Sequence, residues 1–198
     1  IRSGWERVMS LPNRLTIARI FLTFVFMLFA FQTGLIPKII ALAVFLLASL
    51  TDFYDGYYAK KYNLISDFGK LMDPIADKFL ILTAFFTFTV LHLIQAWMFV
   101  LILAREAGVT FIRLRAMRRG KVLAAEQAGK IKTVLQIVTI SIILIFMVFA
   151  QTDLPGHRSA LLGQFHQWVI DPLTFVVVAV TLFSGASFLW NNRRSIYA

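Results

Sequence analysis

Residues 51–78 read TDFYDGYYAKKYNLISDFGKLMDPIADK. They hold the carboxylates Asp52, Asp55, Asp67, Asp73 and Asp77 and the lysines Lys60, Lys61, Lys70 and Lys78. On either side the chain is hydrocarbon: IIALAVFLLASL occupies 39–50 and FLILTAFFTFTV occupies 79–90. The stretch is either a solvated loop between two apolar elements or the polar ends of those elements. That choice decides both the fold and the chemistry.

Composition sets the frame. Of 198 residues, 59% are hydrophobic and 15% charged, whereas a soluble domain carries about 25% charged residues. Several apolar runs approach the roughly 20 residues that cross a bilayer as a helix. Runs such as VLQIVTISIILIFMVFA (134–150) lack the period-two alternation of a membrane β-barrel. The chain therefore reads as an all-α integral membrane protein. It has no cysteine, which excludes disulfides and thiolate chemistry. The first apolar run follows a basic leader and is long enough to span, so it reads as a span and not as a cleaved signal. The net charge of +10 comes with no nucleic-acid-binding motif. It fits basic residues flanking spans and meeting anionic lipid headgroups, so no nucleic-acid partner is expected.

Six transmembrane helices are expected, at about 15–31, 38–60, 70–91, 95–113, 131–150 and 169–190. The segment GWERVMSLPNRLT (4–16) reads as a short amphipathic helix lying in the interface, ended by Pro12, with Asn13 or Thr16 opening the first span. With six spans, the two termini and the loops after spans two and four share one side. All of the 20 lysines and arginines except Lys38 and Arg158 fall on that side, with Arg19 and Arg105 assigned to their nearest span end. Both termini are then cytoplasmic. No internal repeat is visible, and residues 1–198 read as a single domain.

On this reading Asp52 and Asp55 end span two, three residues apart, and Asp73 and Asp77 begin span three, four apart. Each spacing puts its pair on one helix face. Antiparallel neighbours joined by a short loop can bring all four acids to one depth. Four carboxylates cannot share a site unneutralised: some are protonated, or lysines pair with them, or cations bind them. All-oxygen ligation suits hard divalent ions, and paired ions suit phosphoryl chemistry. Asp67 reads as a solvated loop residue. Gly56, Gly69 and Ala59 remove side-chain bulk beside the acids, which leaves room for a ligand against the backbone or for a close helix crossing.

Here a resemblance appears. The residues D-F-Y-D-G-Y-Y-A-K, eight more, then G-K-L-M-D-P-I-A-D resemble the signature of the CDP-alcohol phosphotransferases, D-x2-D-G-x2-A-R-x8-G-x3-D-x3-D. All spacings and all fixed positions match but one: Lys60 stands where the family has arginine, which keeps the charge and loses the bidentate fork. The resemblance implies that Asp52, Asp55 and Asp73 ligate a pair of divalent metals, Mg²⁺ or Mn²⁺. Asp77 would complete that site and act as general base. Gly56, Ala59, Lys60 and Gly69 would line a cytidine-nucleotide pocket. The reaction implied is displacement of CMP from a CDP-linked lipid by an alcohol, carried out by a homodimer.

The acceptor is read from the other cations. Arg105 sits inside an apolar span in ILAREAGVTFIR (102–113), and Arg113 lies eight residues on, roughly on the same face. Lys130 and Lys132 open the next span in GKIKT (129–133). Such a cluster reads as a phosphate site, with interfacial anchoring as the alternative. LPNRLTIAR (11–19), the A-R-E…R pair and GKIKT together resemble the family members that use glycerol 3-phosphate as acceptor and CDP-diacylglycerol as donor. On that resemblance Arg105, Arg113 and Lys130 hold the acceptor phosphate, and Lys132 is grouped with them. Asn13 is assigned to the nucleotide and Arg19 to the acceptor. The site would face the cytosol from a bacterial inner membrane, among membrane lipids. Family members that use phosphatidylglycerol or an inositol phosphate are the rivals, and a divalent-cation transporter is a more distant one.

Overall fold

The computed structural model describes the backbone of residues 11–62, 67–118, 127–152 and 163–197, and the side chains of 17–51, 78–117, 129–152 and 163–193. The expected N-terminal interfacial helix therefore lies mostly outside the described residues.

The described chain is helical, with no strand among its residues. Its elements are α1 (Leu11–Phe31), α2 (Leu35–Tyr62), α3 (Asp67–Val90), α4 (Ala96–Arg118), α5 (Gln127–Phe149) and α6 (Asp171–Tyr197). A single wide turn of π type, His166–Ile170, leads into α6. Each apolar segment expected from the sequence is one helix. Two details differ. Pro12 lies in the first turn of α1, where a missing N–H costs nothing. Asp67 begins α3 rather than lying in a loop, and aspartate is a favoured residue type at a helix start.

Two stretches among the described residues are long and apolar enough to cross a membrane by themselves, Gly129–Phe149 and Gly163–Arg193. Ile17–Phe31, Leu35–Thr51 and Lys78–Val90 form shorter apolar helices. Many large apolar side chains among the described residues are exposed, such as Phe21, Phe183 and Trp168 at 67%, 71% and 74%. Water does not tolerate such a surface, whereas lipid does. This is an integral membrane protein.

The contacts divide the chain into two units, Ile1–Thr87 with Ser141–Asp153, and Phe88–Ile140 with Leu154–Ala198. In the first, α1 packs on α2. Phe26 and Ala30 of α1 and Ala41, Phe45 and Ala48 of α2 are fully buried. They recur at helical spacing, and the alanines let the backbones approach. The Phe26 and Phe45 rings lie 5.8 Å apart. Gly34 makes the turn between the helices at φ +105°, a conformation that favours glycine. Gln151 Oε1 accepts the Gly34 N–H at 3.1 Å. Lys38, counted from sequence on the side opposite the termini, is buried, and its Nζ donates to the Ala30 carbonyl at 2.6 Å. It thereby caps the carbonyl end of α1 with a positive charge.

In the second unit, α4 packs on α6. Met98, Ile102, Glu106, Val109 and Ala116 form the buried stripe of α4, and Thr174, Val177, Thr181, Ser184, Phe188 and Asn192 that of α6. The turn before α4 is closed by the Leu93 N–H to Phe88 carbonyl bond (2.8 Å) and the His92 N–H to Thr89 carbonyl bond (3.0 Å), with His92 at φ 55°. This paired-bond C-cap usually takes glycine. His166 Nε2 lies 3.0 Å from the Leu93 carbonyl.

Candidate functional site

The acidic motif lies on helices for nearly its whole length. α2 runs without a break to Tyr62 and carries Asp52, Asp55, Gly56, Ala59 and Lys60. α3 carries Gly69, Asp73 and Asp77. Residues 51–78 are thus two helix ends and not a solvated loop, since only 63–66 fall between the helices. Continuous helix preserves the three- and four-residue spacings as same-face pairs. The side chains of these residues, and that of Asn13 in the first turn of α1, lie outside the described side chains. As a donor set, carboxylates in two same-face pairs are the chemistry that hard divalent cations take.

Arg19 belongs to the same unit as the aspartates and is 1% exposed. It shares a buried stripe of α1 with Thr23, Phe26 and Ala30, and Thr23 Oγ1 donates to the Arg19 carbonyl at 2.8 Å. A guanidinium this deep in an apolar unit is not an interfacial anchor.

The second unit holds the remaining cations. Arg105 and Lys132 are brought together by Glu106. Its Oε1 accepts from Arg105 Nη1 at 3.0 Å and from Lys132 Nζ. The side chains of Arg105, Lys132 and Glu106 are 9%, 7% and 2% exposed, so this is a buried trio carrying one net positive charge. Arg105 Nη2 donates to Ser184 Oγ of α6 at 2.8 Å. Arg113, two turns further along α4, is exposed, and its guanidinium lies 5.1 Å from the centre of the Phe188 ring. Lys130 is exposed one turn into α5. The structure therefore links Arg105 with Lys132, seats Arg113 one α6 turn beyond Ser184, and leaves Lys130 outside the buried trio.

Several buried polar atoms here have no protein hydrogen-bond partner among the described residues: Arg105 Nε, both amide atoms of Gln136, and the hydroxyls of Thr139 and Thr181. Each such atom costs stability unless water or a ligand meets it. Gln136 and Thr139 follow Lys132 at four and seven residues, on the same face of α5. Sequence reasoning named Glu106 only as the neighbour of Arg105, and it did not find Ser184, Phe188 or Gln136. A glutamate and a glutamine inside apolar spans were the available signal.

Comparison with known proteins gives the family. The sequence model of the family described as CDP-alcohol phosphatidyltransferase matches residues 9–183. A Bacillus subtilis protein named CDP-diacylglycerol–glycerol-3-phosphate 3-phosphatidyltransferase is 40% identical over 148 residues, covering 69% of this chain and 77% of its own. A Mycobacterium tuberculosis protein named probable phosphatidylglycerophosphate synthase is 41% identical over 143 residues, covering 71% and 68%. A Rickettsia felis protein with the same name as that of B. subtilis is 38% identical over 136 residues, covering 69% and 75%. With its acidic motif carried on two helices and these relatives along most of its length, the chain belongs to the CDP-alcohol phosphatidyltransferase family and is a membrane transferase of that kind.

Proposed function

We propose that this enzyme transfers the phosphatidyl group of CDP-diacylglycerol to glycerol 3-phosphate, forming phosphatidylglycerophosphate and releasing CMP. The observation that carries this reading is that the motif aspartates lie on two consecutive helices, Asp52 and Asp55 on α2 and Asp73 and Asp77 on α3, in a chain about 40% identical to relatives named for that reaction. Asp52, Asp55, Asp73 and Asp77 would hold two divalent cations, Mg²⁺ or Mn²⁺. Bound there, the cations supply charge neutralisation for the diphosphate.

The chain's own groups do the rest. Gly56, Ala59, Lys60, Gly69 and Asn13 bind the cytidine diphosphate. Arg105, Arg113, Lys130 and Lys132, with Arg19, answer the charge of the acceptor phosphate. Asp77 takes the proton of the acceptor hydroxyl. The hydroxyl oxygen bonds to the phosphatidyl phosphorus, and the bond from that phosphorus to the CMP oxygen breaks. Arg105 retains a buried Nε–H with no protein partner among the described residues, a donor left for an anion.

In this reading residues 1–198 act as one membrane domain with six spans and cytoplasmic termini. It works as a homodimer in a bacterial inner membrane with its site open to the cytosol. An amphipathic donor fits that placement, with acyl chains in hydrocarbon and diphosphate at headgroup depth. The test is CMP release from CDP-diacylglycerol with Mg²⁺ or Mn²⁺ and one acceptor at a time. Glycerol 3-phosphate should support turnover. Release only with phosphatidylglycerol or only with an inositol phosphate would replace the acceptor, and no release with any acceptor would remove the reading.

A further inference from the structure

The family match ends at residue 183, and from sequence the last third of the chain is apolar span and nothing more. Yet the residues just beyond that limit touch both arginines assigned to the acceptor. Ser184 accepts a hydrogen bond from Arg105 Nη2 at 2.8 Å. Phe188, one turn later and 2% exposed, offers its ring to Arg113. Between them, Gly185 has no Cβ where one would meet Arg105: an added methyl would lie 2.9 Å from Arg105 Cγ and 3.4 Å from Nε.

We propose that Ser184, Gly185 and Phe188 form a seat on α6 that positions Arg105 and Arg113 for the acceptor, making the last helix part of the acceptor site. This rests on the assignment of those arginines to the acceptor phosphate.

Three physical points carry it. Contact order along the two helices agrees, because Arg105 meets 184 and 185 while Arg113 meets 188, so α4 and α6 run side by side in the same direction. A long side chain loses rotamer freedom only where something holds it, and Arg105 is held at both η nitrogens, by Glu106 and by Ser184. The space at Gly185 is filled by the inner stem of Arg105, not by its mobile tip. A methyl at 185 would therefore move the guanidinium as a whole. These residues act through the arginines and touch no reacting atom, so they are positioning residues.

The experiment measures kcat, KM for glycerol 3-phosphate and KM for CDP-diacylglycerol in purified Ser184→Ala, Ser184→Thr, Gly185→Ala, Phe188→Leu and Arg105→Ala. Losing one charge-assisted hydrogen bond corresponds to roughly tenfold or more. Gly185→Ala and Ser184→Ala should raise the acceptor KM by about that factor and leave the donor KM unchanged. Ser184→Thr, which keeps the hydroxyl, should restore it. Phe188→Leu should raise it less, by about threefold, as a single cation–π contact allows.

In an Arg105→Ala background, Ser184→Ala should add nothing further, because the serine acts only through that arginine. If Arg105→Ala raises the acceptor KM while Ser184→Ala and Gly185→Ala do not, the seat is refuted and the acceptor assignment stands. If Arg105→Ala itself leaves that KM unchanged, the acceptor assignment fails first. Should Gly185→Ala not fold, the Ser184→Ala and Ser184→Thr pair decides the matter alone.

Discussion

Replacing Glu106 with glutamine tests the energetic reading of the second unit, independently of catalysis. Glutamine keeps the shape and removes the charge. In the native protein one oxygen of Glu106 serves both Arg105 and Lys132, and no member of the trio is more than 9% exposed. Glu106→Gln removes the carboxylate that Arg105 and Lys132 share, and the charge of the trio rises from one positive to two. Breaking a buried pair by removing one partner costs about 3–5 kcal/mol. For a chain of this size that is a fall in Tm of roughly 6–20 °C. The assay is thermal unfolding of wild type and variant in the same detergent or bicelle, followed by intrinsic fluorescence or by retention on gel filtration. Lys132→Met in the Glu106→Gln background returns the local charge to one positive and should recover much of the loss. A Glu106→Gln protein that melts within about 2 °C of wild type would show that the trio is not held by its charges.

Further predictions concern the acidic motif. Asp77→Asn should lower kcat by at least about a hundredfold, the contribution of a general base, while CDP-diacylglycerol binding measured by isothermal titration persists; normal turnover would remove Asp77 as the base. Stripping divalent ions with EDTA should abolish CMP release, and adding back Mg²⁺ or Mn²⁺ should restore it; activity that survives exhaustive chelation would contradict metal use by the four aspartates. Lys60→Arg should lower the KM for CDP-diacylglycerol by a few-fold, since a guanidinium fork grips a diphosphate where an ammonium makes a point contact. An unchanged KM would place Lys60 away from the nucleotide.

The helices were legible because an apolar chain offers few other choices. Expected segments such as 38–60 and 131–150 lie within α2 and α5 to within a residue or so. The helical setting of the acidic motif was legible for the same reason: the apolar runs on either side extend into it as helix, and three- and four-residue spacings then fall on one face. What the sequence hid were contacts made across distance. Ser184 meets Arg105 from 79 residues away, and in an apolar run a serine and a glycine look like small residues for close helix packing. The charge count that put Lys38 on the side opposite the termini says nothing about a neighbouring helix end. Only the turn at Gly34 brings its ammonium back to Ala30. Asp67 looked like loop because it sits among polar residues, although aspartate also marks a helix start.

The most direct test of the proposed reaction follows the acceptor into the product. Purified protein in mixed micelles receives CDP-diacylglycerol, a divalent cation and radiolabelled glycerol 3-phosphate, and both CMP and organic-phase label are counted. Transfer predicts that label enters the lipid in equal amount to the CMP released, and that neither appears when the donor or the cation is withheld. CMP released without label in the lipid would show hydrolysis of the donor, and the account of α2, α3 and the acceptor cations as one transferase machinery would be wrong.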